Sequence, residues 1–262
     1  MRERKKIALL AILLFFFLTV VGGFYCAGYP GIRLTDIDSR KLTRCLAACS
    51  VIGADWRAVW AYCSAKGFDA NFIDIAVMQA SSGQKGKEWL SKSLNGIALI
   101  RAIREYNALD KADRILDYLF PIDPKYGYAY TDSWGAERTW GRSRSHEGTD
   151  IICLKGTPIR SVCDGIVEKR GWNIYGGWRV GIRGKDGLYY YYAHLSGFNV
   201  VKGQQVSKGD VIGYAGDSGY GALGQTGEFP VHLHFAIYED NIAFNPYPFL
   251  AEWERRYKII AR

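Results

Sequence analysis

Apolar and polar positions change rhythm twice along the chain. Residues Ile7 to Ala27 form an almost unbroken apolar run, preceded by Arg2, Arg4, Lys5 and Lys6. The run has roughly the 20 residues needed to cross a bilayer core. Basic residues on its N-terminal side predict that this end stays in the cytoplasm. It exceeds the ~7–15 apolar residues of a cleaved signal peptide, and no clean small-x-small site follows, Cys26-Ala27-Gly28 being the nearest. Residues 1–28 therefore read as a basic stub and an uncleaved transmembrane anchor. The rest of the chain is expected to lie outside the cytoplasm, attached to the cell membrane by a single pass.

Residues 29–120 follow a helical period. Leu42, Cys45, Leu46 and Cys49 fall at i, i+3, i+4 and i+7, with Asp38 or Ser39 placed to cap the helix. Further helices are predicted over Trp56 to Cys63, ended by Gly67, over Phe72 to Met78, and from Glu88 through Leu119 with a break near Asn95-Gly96. Nothing in this stretch carries recognisable chemistry, so it reads as a small helical spacer or docking module whose protein partner is unknown.

From residue 121 the texture changes. Pro121 and Pro124 interrupt the helical period, and short Tyr/Val/Ile stretches alternate with glycine turns. Ile166 to Glu168, Trp178 to Ile182 and Leu188 to His194 read as strands. Asp164-Gly165 and Asp186-Gly187 carry hairpin-type signals. Residues 121–262 are thus predicted to be a mainly antiparallel β domain, closed by Pro246 and Pro248, with a short terminal helix over Glu252 to Ile260.

Composition refines this picture. Hydrophobic residues make up 48% of the 262, enough for a sizeable core and unlike a disordered chain. The net charge of +8 comes from scattered residues apart from the first six positions. With no Lys/Arg run interleaved with aromatics, nucleic acid is not an expected partner. A membrane surface or an anionic polymer suits the charge better. The six cysteines include no CxxC pair, which argues against a zinc knuckle. They read mainly as small buried hydrophobes, with a bridge from Cys63 to Cys45 or Cys49 left open.

The four histidines, His146, His194, His232 and His234, all fall in the β region. In Val231-His232-Leu233-His234-Phe235 the two imidazoles share one strand face. His146-Glu147-Gly148-Thr149-Asp150 differs from a zinc-binding HExxH helix in two ways: its fifth residue is Asp, and Gly-Thr before Ile151-Ile152 favours extended chain. On extended chain Glu147 points away from His146, whereas Asp150 shares its face. These motifs supply His, Asp and His to one ion. Two neutral nitrogens and a carboxylate suit Zn²⁺ with a fourth position open, leaving two histidines for work on water or a developing oxyanion.

His146-x-x-x-Asp150, His194 in Tyr191-Tyr192-Ala193-His194-Leu195-Ser196, and His232-x-His234 together resemble the lysostaphin-type (M23) metallopeptidases. So do Lys155-Gly156-Thr157-Pro158-Ile159, the Val206 to Gly216 stretch and Asn245-Pro246. The resemblance spans roughly residues 125–250. It implies one Zn²⁺ per chain held by His146, Asp150 and His234, with His232 activating the attacking water. His194 would bind or protonate the tetrahedral intermediate. It also implies a peptidoglycan peptide as substrate, a cross-bridge or a stem peptide. The stretch around Trp134, Arg142 and His146-Glu147-Gly148 looks like relatives from spore-forming bacteria, some of which cut L-Ala–D-Glu in the spore cortex. The alternative within the same fold is a non-catalytic scaffold or activator binding the wall or a partner. Cys153 and Cys163 depart from the family pattern, and a bridge between them is expected if their strands pair.

Overall fold

Side-chain caps and left-handed glycines set the first helix boundaries. In the computed structural model, which describes residues 32–80, 85–139 and 143–260, the Asp38 carboxylate accepts from the backbone N–H groups of Arg40 and Lys41. It thereby opens helix α1 (Ser39–Ile52), which ends at Gly53 with φ +66°. Asp55 does the same for α2 (Trp56–Lys66), which ends at Gly67 with φ +69°. Then follow α3 (Ile73–Gln79), α4 (Gly86–Ser93), α5 (Gly96–Ala108) and α6 (Asp110–Ile115). The helical stretch expected from Glu88 to Leu119 does break where anticipated, at the extended Leu94 and Asn95, and a second break at Leu109 makes it three helices. The anchor expected over Ile7 to Ala27 lies outside the described residues, among which no helix is long and apolar enough to cross a membrane.

The second half is strand-rich. It comprises β1 (Tyr128–Tyr130), β2 (Glu137–Arg138), β3 (Arg144–Ser145), β4 (Thr149–Cys153), β5 (Pro158–Arg160), β6 (Gly165–Asn173), β7 (Gly177–Gly184), β8 (Tyr189–Phe198), β9 (Gln205–Val206), β10 (Val211–Ala215), β11 (His232–Glu239) and β12 (Ile242–Phe244), followed by α7 (Tyr247–Ile260). Among the described residues ten strands form one antiparallel sheet with a central order β1-β4-β11-β8-β7-β6-β9, while β2 and β3 make a separate hairpin. Of the two Asp-Gly pairs, Asp186-Gly187 closes the β7–β8 hairpin, whereas Asp164-Gly165 opens β6, which pairs with β7 and β9 instead. The terminal helix starts five residues earlier than expected, since Pro248 fits its first turn, where a missing N–H costs nothing.

Alternation along the central strands separates two faces. Leu233, Phe235 and Ile237 of β11, Tyr190 and Tyr192 of β8, and Val180 and Ile182 of β7 are fully buried on one face. Trp253 of α7 covers that face, its ring 6.1 Å from Phe235 and its indole N–H donating to the Ile115 carbonyl at 2.7 Å. Tyr118 packs on Tyr190 at 5.9 Å and donates to Asp186 at 2.8 Å. Helices and sheet therefore share one hydrophobic core, and the chain from Ile32 onward forms one compact unit.

Neither the Cys63 bridge left open by the sequence nor the conditional Cys153–Cys163 bridge forms. Cys45, Cys49, Cys63, Cys153 and Cys163 are buried free thiols. Cys153 ends β4, whose neighbours are β1 and β11, while Cys163 lies in the loop before β6, so their strands do not pair. The Cys45 and Cys49 sulfurs lie 4.0 Å apart across one helical turn.

Glu239, the last residue of β11, ties the helical region to the strand that carries two histidines. It is 7% exposed and accepts from the Leu34 N–H at 2.6 Å and from Lys111 Nζ at 2.5 Å. Replacing it with Ala strands a buried N–H and a half-buried ammonium. Glu239→Ala is expected to lower stability by about 1.5–3 kcal/mol, read as a fall in urea midpoint with an unchanged slope.

Candidate active site

Register brings the polar residues together on the other face of the sheet. His234 on β11 lies opposite Asp150 on β4 and Ala193 on β8. His146 follows β3, held by hydrogen bonds between its backbone and that of Gly135 and Ala136. His146 Nε2 lies 2.9 Å from His234 Nδ1 and 3.0 Å from Asp150 Oδ1, and His234 Nδ1 lies 3.1 Å from the same oxygen. Among the described residues, these three offer donor atoms close enough together to share one ion. Glu147 is exposed at the rim, where its carboxylate accepts from the Tyr238 hydroxyl at 3.5 Å. Gly148 lets the His234 ring approach, since a Cβ there would meet ring atoms at 2.6 and 2.8 Å.

Backbone carbonyls settle which ring nitrogens are free. A carbonyl only accepts, so a ring nitrogen bonded to it carries the hydrogen. His146 Nδ1 donates to the Ser133 carbonyl at 2.7 Å, His194 Nδ1 to Ser218 at 2.7 Å, and His232 Nδ1 to Pro230 at 2.8 Å. In each neutral ring Nε2 is then left with a lone pair. The Nε2 of His146 points at the donor cluster, and that of His232 lies 3.6 Å from Asp150 Oδ1. Two aromatic nitrogens and a carboxylate within 3.1 Å of one another, one ring with its tautomer fixed from behind, match the donor set and approximate spacing of tetrahedral zinc.

His194 reaches this face through a strand irregularity. Simple alternation from Tyr190 and Tyr192 would aim it into the core. Between Tyr192↔Val180 and Leu195↔Trp178, however, β8 carries two residues where β7 carries one. His194 takes φ +60° there, and its ring lies 4.6 Å from that of His232. Bulges of this kind re-aim side chains beside functional sites. Ser218, which anchors His194, sits against Gly177, whose missing Cβ would overlap it at 2.3 Å.

Arg138, Ser133 and Asp132, which the sequence did not single out, complete the site together with Asn245. The Arg138 guanidinium pairs with Asp150 Oδ2. Ser133 Oγ accepts the Asp150 N–H at 3.2 Å, and the preceding Asp132 is held by the Asn245 amide at 3.1 Å. Asn245 thus links the closing turn to the loop behind His146. The cavity has a volume of about 590 Å³, with Tyr189, Tyr191, Tyr220, Phe229 and Tyr238 among its walls. The tyrosine run divides as alternation requires, Tyr190 and Tyr192 into the core and Tyr189 and Tyr191 into the groove.

Burial and charge act oppositely on these groups. Burial presses Asp150 toward its neutral form, but the His146 and His234 rings packed against it outweigh burial and hold the carboxyl far below the usual range. Burial lowers the His194 pKa to about 3, reinforced by His232 and His234. Burial also lowers His234, against the pull of Asp150.

Three converging donors flanked by two further histidines form the layout of a one-metal hydrolase. The model for Peptidase family M23 matches residues 144–246. An L-Ala–D-Glu endopeptidase of Bacillus subtilis (strain 168) is 46% identical over 162 residues, 58% of this chain and 50% of that protein. Glycyl-glycine endopeptidase ALE-1 of Staphylococcus capitis is 38% identical over 112 residues, 40% of this chain and 29% of that one. The crystal structure of a Ruminococcus gnavus protein assigned as a glycyl-glycine endopeptidase, lytM, aligns with a TM-score of 0.55 at 31% identity, over 87% of this chain and 92% of that one. The chain belongs to peptidase family M23. It spans half the length of the Bacillus relative and less than a third of the staphylococcal one.

The buried His194 gives a pH dependence of known sign. Its pKa drops from 6.5 to about 3 on folding, so below pH 6.5 the unfolded chain takes a proton that the folded one refuses. Stability is full above that pH and falls between about 6.5 and 3. In His194→Gln protein freed of metal, the slope of unfolding free energy against pH in this window should shrink by up to about 1.4 kcal/mol per unit. Denaturant titrations at stepped pH would read it, and an unchanged slope would show that His194 does not stay neutral.

Proposed function

We propose that the chain is a zinc-dependent endopeptidase acting on peptides of bacterial peptidoglycan, with the L-Ala–D-Glu bond of the stem peptide as its target. The observation that carries this reading is the convergence of His146 Nε2, His234 Nδ1 and Asp150 Oδ1 within 3.1 Å, beside two histidines bonded through Nδ1 to backbone carbonyls. The choice of bond is supported by the 46% identity to the Bacillus L-Ala–D-Glu endopeptidase. The basic stub and apolar run at the N-terminus support a membrane tether with the peptidase region outside the cytoplasm, next to the wall.

His146, Asp150 and His234 would hold the zinc. When bound, zinc polarises the scissile carbonyl and makes water more acidic. The protein supplies the proton handling. His232, fixed by the Pro230 carbonyl, presents Nε2 to the attacking water, accepts its proton and returns it to the leaving amine. Asp150 Oδ1, 3.6 Å away, stabilises the imidazolium that forms meanwhile. His194 is kept neutral by burial and enters as a lone-pair acceptor orienting the same water; it donates only after receiving a proton. Arg138 holds the Asp150 carboxylate in place, and Tyr191, edge-on to His234 at 6.0 Å, walls the site against free solvent.

Full-length protein in detergent, incubated with muropeptides, is expected to release fragments cut between L-Ala and D-Glu, identified by mass spectrometry. A zinc chelator should abolish the reaction, and a cut at another bond would redirect the assignment. Elemental analysis should find about one zinc per chain, lost in His234→Ala and kept in His232→Ala. The His232→Ala rate should fall roughly 10²–10⁴-fold. Equal zinc loss in both variants would contradict this division of roles.

A further inference from the structure

The groove extends well beyond the donor cluster, and its far end is cationic. Arg179 on β7 lies opposite the Ala193–His194 bulge on one side and Gly171 of β6 on the other. It shares the groove face with Gly181, where the Tyr189 ring lies so close that a Cβ would meet its hydroxyl at 1.8 Å. The Tyr191 hydroxyl rests in the same way on Gly176. Between these tyrosines, Arg179 Nη1 is buried and, among the described residues, makes no hydrogen bond. An unsatisfied, half-buried guanidinium is costly, and its fork-shaped donor set matches a carboxylate. Lys169 of β6, exposed and two residues from Gly171 on the same face, lines the cavity beside it.

The other charged residues lining the cavity are engaged. Arg138 pairs with Asp150. Arg144 lies over the Tyr175 ring at 4.3 Å and donates to the Tyr220 hydroxyl. Glu147 meets Tyr238 at the rim. Arg179 is two strands away from His234, about 10 Å at the usual inter-strand spacing of ~4.8 Å. A peptide crossing the sheet covers that distance in roughly two to three residues.

We propose that Arg179, seconded by Lys169, is a carboxylate-binding subsite that selects peptides carrying a free carboxylate two to three residues from the scissile bond. The inference rests on the peptidase reading above and narrows its substrate to an acidic peptide. A neutral glycine bridge would leave the guanidinium unsatisfied.

The test uses two synthetic pentapeptides containing L-Ala–D-Glu, identical except that one has the carboxylates on the residues after that bond converted to amides. Binding to the full chain in detergent is measured by calorimetry after chelation, so that neither peptide is cut, and kcat/KM is measured on metal-loaded protein. The wild type should bind the acid peptide about 10- to 100-fold more tightly than the amide. In Arg179→Gln that ratio should collapse to near one, and Arg179→Lys should keep part of it. A wild-type ratio near one overturns the subsite whether or not the variants fold. So does an unchanged ratio in well-folded Arg179→Gln protein. Failure to cleave either peptide, with selective binding intact, would count against the peptidase reading and not against the subsite.

Discussion

Asp150 must remain charged where water barely reaches it, and much of the site is arranged around that requirement. A buried carboxylate loses several kcal/mol of hydration unless donors or cations replace it. Here His234 Nδ1 and the Arg138 guanidinium are placed to donate to it, with the His146 and His232 rings close by. These partners come from the turn after β3, from β11 and from β2. The β4–β11 register has to place His234 opposite Asp150, and the β2–β3 hairpin has to fold over both. An ion bound among the same atoms would meet this requirement too, so the structural demand and the chemical one coincide.

Much of this was legible in the sequence because it follows from periodicity. His232 and His234 share a strand face by parity, and extended chain after Gly148 carries Asp150 to the face that His146 approaches. Asp38 and Gly67 mark helix ends by their capping chemistry. What stayed hidden depends on breaks in periodicity or on backbone atoms. Parity sends His194 into the core with Tyr190 and Tyr192, and only the extra residue in β8 reverses this. The carbonyls of Ser133, Pro230 and Ser218 have no side-chain signature. Arg138 is one arginine among many until the hairpin sets it against Asp150. The cysteines are the small buried residues expected of them, while the conditional Cys153–Cys163 bridge turned on a strand pairing that sequence distance does not reveal, since β4 lies between β1 and β11.

The helices are more than a spacer in mechanical terms. Trp253 and Tyr118 cover the back of the same strands whose front carries the histidines, and Glu239 fastens the end of β11 to Leu34 and Lys111. Loosening the helical region would let the strands drift, and donors that sit about 3 Å apart tolerate little drift.

The bulge at Ala193–His194 sets sheet regularity against reactivity. Removing one residue there would restore even pairing between β7 and β8 and relieve a left-handed, non-glycine backbone, both gains for a sheet. The same deletion would withdraw an imidazole from the groove. Selection for thermal robustness alone would therefore tend to erase it, so its presence is what the proposed role of His194 in the groove would require. Stabilising redesigns of this fold would do well to leave those two residues untouched.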